Sequence, residues 1–399
     1  MPDHIAVQSL YVHVPFCARK CEYCAFYSET AAGDTVNRYV AALIRELERV
    51  AAQLWPGTIF FGGGTPSLLN IRQWETILRA LDRFGLLGAA EWTVECNPAT
   101  VSADKARLLR DYGVNRLSLG VQSLDETLLA RLGRVHNRAQ VFRSFDLLRR
   151  AGFANLNVDL MFAIPGQTLA VWRATLDEAL ALGSEHLSCY EVIYEEDTPL
   201  FAQLRAGAFD VDEDLACAQY EELVQRAADA GLQRYEIANF ARDTRPTVAS
   251  SASAGNDAAV PAFASRHNIN YWRGGDFFGL GPSATTYVRG VRTRNVSHTG
   301  LYCEHLEKGR RPLAAREQLP PLARAGETAA FGLRMVAGWP FAEFARVTGF
   351  DLRTEWADEM DALIARGWGK RDPHGFRLTD TGLRFADAAA ELFLRSPAN

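Results

Sequence analysis

Residues 11–28 read YVHVPFCARKCEYCAFYS. A short apolar run leads directly into three cysteines, Cys17, Cys21 and Cys24, spaced by four and then three residues in a chain that holds seven. The other four, Cys96, Cys189, Cys217 and Cys303, are scattered, so the pattern fits a metal or redox site better than a disulfide framework. Thiolates bind soft and borderline metals, and a structural zinc site closes with four ligands. Three leave one place open. A distant Cys or His could complete a zinc site, or the three thiols could be unrelated. The same three could instead hold three corners of a 4Fe-4S cluster, leaving the fourth iron to an outside chelate such as the amino and carboxylate groups of S-adenosylmethionine (SAM).

The chain around this stretch alternates short β-rich runs with longer helical patterns. SLYVHV (9–14) precedes VNRYVAALIRELERVAAQL (36–54), and the alternation continues through TIFFGG (58–63), EWTVECN (91–97), NRLSLGVQ (115–122), NLNVDLMFAIPG (155–166) and HLSCYEV (186–192), each followed or preceded by a helix-period segment. Six strand-plus-helix units predict an α/β fold, a partial TIM-like (β/α) barrel. In such barrels chemistry gathers at the C-terminal ends of the strands, where Gly62–Thr65, Glu95, Gln122, Asp159 and Glu191 fall.

The 399 residues, 48% apolar, suffice for this barrel and a smaller appendage. A net charge of −5 lacks the basic excess that a phosphate backbone would demand, so nucleic acid is not expected as a partner. The first ten residues lack the basic start and apolar core of a signal peptide, which predicts a cytoplasmic protein. RDTRPTVASSASAGNDAAVPAFAS (242–265) is rich in Ala, Ser, Pro and Thr without apolar period and reads as a mobile insertion. The expected division is a barrel over 1–240, an insertion over 241–265, a barrel extension over 266–316 and a C-terminal module over 317–399. That module reads as a long helix over about 322–337, two short helices, a hairpin and a closing helix to about 394, a winged-helix-like arrangement. Its 351–366 segment carries Asp351, Glu355, Asp358, Glu359 and Asp361 against Arg353 and Arg366, a charge that repels DNA.

YVHVPFCARKCEYC resembles the radical SAM superfamily, and its leading YxHxPFC resembles the branch that contains oxygen-independent coproporphyrinogen III oxidase and its relatives. FFGGGTPSLL (60–69) is similar to the glycine-rich segment of that branch. The resemblance implies that Cys17, Cys21 and Cys24 ligate a 4Fe-4S cluster and that Gly62, Gly63, Gly64 and Thr65 receive the methionine amino group of SAM. ECNP implies Glu95, GVQS implies Gln122, LGRVHN implies Arg134 and NVDLMFAIPGQT implies Asp159 as further cofactor contacts, with Tyr11 and Tyr23 bracketing the cluster. In this superfamily the cluster delivers an electron that cleaves SAM to a 5′-deoxyadenosyl radical.

Oxidase-like sequences continue the motif as CxxxCxxCxC, whereas this chain has Phe26 in the last position. RHNINYW (266–272) fits the HNxxYW signature of the sister group of heme chaperones. The resemblance therefore implies heme as a third cofactor, with His267 as its ligand, and a heme-acceptor protein as partner. It also implies a reductant such as flavodoxin or ferredoxin, and it admits transient association with a membrane. Where many relatives carry a histidine shortly afterwards, GLGPSATTY (279–287) has none. The oxidase itself, or a related radical SAM methyltransferase, is the alternative expectation.

Overall fold

A computed structural model describes residues 6–245 and 260–395. Its main sheet has nine strands: β1 (Val7–Val14), β2 (Leu54–Gly63), β3 (Glu91–Cys96), β4 (Arg116–Gln122), β5 (Leu156–Phe162), β6 (His186–Glu191), β7 (Leu232–Arg234), β8 (Asn239–Arg242) and β9 (Phe278–Leu280). Their order is β9-β1-β2-β3-β4-β5-β6-β8-β7. Strands β1 to β6 run parallel in sequence order, β9 joins parallel to β1, and β8 and β7 close the other side antiparallel. Among the described residues the ladder ends on β9 and β7 and does not close on itself. The expected partial barrel is thus present as an open, mostly parallel sheet.

Alternation along each strand sorts the chemistry. One row of positions is apolar and buried: Val12, Ile59, Phe61, Trp92, Val94, Leu117, Leu119, Val158 and Leu160. These pack under the crossover helices, including Thr35–Val50, whose Tyr39, Val40, Leu43 and Leu47 recur at helical spacing and are buried. The opposite row carries polar groups brought side by side by register: Glu95 opposite Ser118, Gly120 opposite Asp159, and Asp159 opposite Ser188. A parallel sheet in water has to bury this row, so something must occupy or line the space above it.

Beyond β9, Thr285–Val288, Val291–Asn295 and Leu313–Glu317 form a separate antiparallel sheet. Arg289 and Gly290 both take positive φ (53° and 75°) in the two-residue turn of its first hairpin, as a tight hairpin turn requires.

The C-terminal module has its own core around Trp339, Phe344, Trp356, Met360, Leu363, Phe376 and Phe393. Helices Phe341–Thr348 and Ala357–Ala365 and a three-stranded sheet of Trp339–Pro340, Gly375–Leu378 and Gly369–Arg371 give the winged-helix-like shape. Two expected lengths change. The first helix stops at Gly332 because the following chain is drawn onto the main body, where the Val336 amide donates to the Tyr235 carbonyl at 2.9 Å. The closing helix is split at Phe385 into Asp380–Arg384 and Ala386–Glu391.

The compositionally simple segment is narrower than its sequence suggests. Arg242 belongs to β8, and Ser265 is buried and caps helix Arg266–Trp272, accepting from the Asn268 amide. The Glu91 carboxylate also meets this helix start, accepting from the amides of Arg266 and His267 at 2.8 and 3.0 Å. The mobility expected of 246–259 lies outside the described residues.

Candidate functional site

A cavity of about 480 Å³ opens at the C-terminal ends of the parallel strands. Cys17, Cys21 and Cys24 line one side of it. The loop that carries them is pinned by main-chain bonds: Glu22 donates to Leu132, Leu200 donates to Glu22 and Cys24 donates to Cys21. The thiols have partners suited to a sulfur anion. Thr65 Oγ1 donates to Cys17 Sγ at 3.6 Å, and Arg134 Nη1 donates to Cys21 Sγ at 3.4 Å. Burial raises the Cys24 thiol pKa above its ordinary value, and the neighbouring Cys21 and Cys17 add to the shift. No set of three Cys, His, Asp or Glu side chains among the described residues is gathered tightly enough to hold a single ion. A tetrahedral zinc would need its sulfurs within about 4 Å of one another, given a Zn–S bond of about 2.3 Å. A 4Fe-4S cluster instead places each thiolate on a different iron.

The glycine-rich turn forms the next wall. Gly63, Gly64 and Thr65 line the cavity, and Gly62 packs just beneath. A side chain is excluded at these positions. An added Cβ on Gly64 would lie 2.7 Å from the Val14 and Phe16 carbonyl oxygens, and Gly63 sits at φ 101° with a Cβ position 2.4 Å from the His13 ring. The turn therefore presents bare backbone to the cavity, suited to a charged ligand.

Glu95, Gln122 and Asp159 reach in from β3, β4 and β5. Glu95 accepts from the Gly63 amide at 3.2 Å, and burial, followed by the charge of Asp159, pushes its carboxyl up to about 8. Asp159 accepts from Ser118 Oγ and Asn157 Nδ2, at 2.8 and 2.7 Å, and its pKa is also raised by burial. Gln122 has φ 68°, which turns the strand end. Two buried carboxyls facing a backbone cradle make a site for an ammonium group. Tyr23 and Arg134 line the same cavity. Arg134 also donates to the Gly120 carbonyl at 2.5 Å, while its Nε has no partner among the described residues.

Sequence reasoning missed the supports. Asn157 is held by His186 and Ser188, which bond its Oδ1 at 2.6 and 3.1 Å. His136 donates from Nε2 to the Val121 carbonyl and stays neutral, its pKa lowered to about 4 by burial and by Arg134. The one available signal is polar residues recurring at every second position of apolar strands, as in RLSLG and LNVDL.

Tyr11 and His267 stand apart from this cavity. Tyr11 lines a second one, of about 590 Å³, between the cysteine loop and the C-terminal module. Tyr11 OH bonds His13 Nδ1 at 3.0 Å, and His13 Nε2 bonds the Tyr27 carbonyl at 2.8 Å. His267 is 1% exposed and lines neither cavity. Its Nδ1 bonds Thr58 Oγ1 at 2.9 Å, its Nε2 bonds Tyr271 OH at 2.8 Å, and its ring stacks on Phe60 at 5.2 Å. Both ring nitrogens are engaged, and burial lowers the pKa to about 3, so the imidazole is neutral.

Comparison with known proteins agrees with this layout. Residues 11–179 match the model of the Radical SAM superfamily, and residues 319–385 match that of the HemN C-terminal domain. The heme chaperone HemW of Lactococcus lactis is 30% identical over 98% of this chain and 98% of its own length. The heme chaperone HemW of Escherichia coli is 32% identical over 97% and 98%. Among solved structures, the coproporphyrinogen III oxidase HemN of Escherichia coli superposes with a TM-score of 0.81 at 20% identity, covering 98% of this chain and 90% of that one, which establishes the shared fold. The chain belongs to the radical SAM superfamily and, within it, to the family of the proteins named heme chaperone HemW.

Proposed function

We propose that this protein is a cytoplasmic heme chaperone of the radical SAM type, which binds a 4Fe-4S cluster, SAM and heme and passes heme to an acceptor protein. The observation that carries the reading is end-to-end similarity to proteins of that name. Phe26 at the position of the oxidase cysteine and the HNxxYW segment around His267 support the same choice. Cys17, Cys21 and Cys24 would hold the cluster. Gly62 to Thr65, Glu95, Gln122, Arg134 and Asp159 would hold SAM, with Tyr23 beside the cluster and Tyr11 behind it. When bound, such a cluster supplies one electron toward the sulfonium of SAM. A small electron carrier such as flavodoxin or ferredoxin is the matching reductant, and heme supply would bring the protein into passing contact with a membrane.

The chain's own residues do the positioning. Arg134 places a cation against the Cys21 sulfur. The bare turn at Gly63 and Gly64 and the Glu95 carboxyl receive the ammonium, and the Ser118–Asn157 pair fixes Asp159. Anaerobic protein incubated with coproporphyrinogen III, SAM and a reductant is expected to leave the porphyrinogen unchanged, yet to bind added hemin. SAM-dependent release of carbon dioxide would decide instead for the oxidase.

A further inference from the structure

We infer that the second cavity is the heme pocket and that the Tyr271 phenol, not the His267 imidazole, faces the iron. This inference rests on the heme-chaperone reading above. The cavity lies beside the cysteine loop, and aromatic side chains from several segments line it. Phe26, 70% exposed, comes from that loop, Tyr271 and Trp272 from helix Arg266–Trp272, Phe277 and Tyr287 from the strand region beyond it, and Phe331 from helix Pro321–Gly332. A volume of about 590 Å³ suits a single small-molecule ligand, and an aromatic lining suits a flat macrocycle. Arg292 supplies a guanidinium at the wall, held at 2.6 and 2.5 Å by Glu317 and Glu327, where a propionate would compete with them.

Three observations select Tyr271. It lines the cavity, whereas His267 does not. Its hydroxyl contacts His267 Nε2 at 2.8 Å, so the histidine stands directly behind it. Behind the histidine runs a polar chain, Nδ1 to Thr58 Oγ1 and Thr58 Oγ1 to Ser9 Oγ, each 2.9 Å, which holds the imidazole ring in place against the phenol. His267 is then a positioning residue that orients the phenol. Phenolate is an established ligand of ferric heme. Binding would form one iron–oxygen bond, displace the axial water of the ferric porphyrin and break the phenol O–H bond, with one proton released to the buffer for each ferric porphyrin taken up. Iron does not change oxidation state. Phe26 also lines the first cavity, so the macrocycle and the cluster would share a wall.

The test is titration of the full chain with hemin, followed by absorption and resonance Raman spectroscopy. Wild type should show a high-spin ferric spectrum with an iron–phenolate vibration. Tyr271→Phe should lose that vibration while retaining the cluster absorbance. His267→Gln should keep the vibration at shifted frequency. Phe26→Asp, at an exposed site that leaves folding undisturbed, should weaken hemin binding by about tenfold. An unchanged spectrum in Tyr271→Phe, or a histidine-ligated spectrum that only His267→Gln removes, would overturn the ligand assignment and leave the chaperone reading intact. Unchanged affinity in Phe26→Asp would overturn the cavity assignment. Failure of wild type to bind hemin at all would instead sink the reading on which the inference rests.

Discussion

The Arg134 guanidinium bridges the cluster loop to the strand ends: Nη1 donates to Cys21 Sγ at 3.4 Å while Nη2 donates to the Gly120 carbonyl at 2.5 Å. A cation held against a ligand sulfur favours the reduced, more negative state of a cluster bound there. Arg134→Met should make the midpoint potential more negative by on the order of 100 mV, the one-electron equivalent of losing a charge-assisted hydrogen bond of about 2 kcal/mol. Redox titration of the anaerobic protein measures this, and an unchanged potential would detach Arg134 from the cluster.

A Cβ added to Gly64 would fall 2.7 Å from both the Val14 and the Phe16 carbonyl oxygen. Gly64→Ala has to displace this backbone, since neither neighbour is a movable side-chain tip. SAM affinity, read by equilibrium dialysis, should fall about tenfold or more, a loss of about 1.4 kcal/mol or greater. Retained affinity would show that the turn does not contact SAM.

Glu95 makes stability depend on pH with a definite sign. Its folded pKa is raised to about 8 from an ordinary 4.5, so the folded state keeps a proton that the unfolded chain gives up. The resulting stability is complete below 4.5 and is lost as pH rises toward about 8. Denaturant melts of the ligand-free protein should show this decline, and Glu95→Gln should flatten it. SAM binding should run the other way, strengthening with pH through the same window as the carboxylate forms to meet the ammonium. Identical pH profiles for both proteins would contradict the assignment.

Glu46 ties the first crossover helix to the turn after β9. It is buried and accepts from Tyr302 OH, Asn295 Nδ2 and the Gly281 amide at 2.6, 2.7 and 2.8 Å. Glu46→Ala leaves three donors without an acceptor and should cost roughly 3 kcal/mol in urea unfolding. A loss below about 1 kcal/mol would show that water replaces the carboxylate.

The first cavity was largely legible because its parts are local. Cysteine spacing, the triple glycine and the strand-end carboxyls each sit within one short segment, and parallel-strand logic brings those segments to one end of the sheet. The supports of Asp159 were not legible. Ser118, Asn157 and Ser188 are ordinary polar residues until cross-strand register sets them side by side. The second cavity depends on a longer-range fact, the pairing of β9 with β1, which sets Tyr11 opposite Gly279 and brings Phe277 and Tyr287 against the cluster loop. The motif around His267 singled out the segment that forms helix Arg266–Trp272. Only the packed helix showed that the imidazole faces Thr58 and Tyr271.

Everything here turns on a cluster whose fourth iron is left for SAM. Electron paramagnetic resonance of the reconstituted, dithionite-reduced protein tests it most directly. The account predicts a reduced four-iron signal that changes shape when SAM is added and is absent in Cys21→Ser. A signal indifferent to SAM, or purified protein containing zinc and no inorganic sulfide, would contradict it.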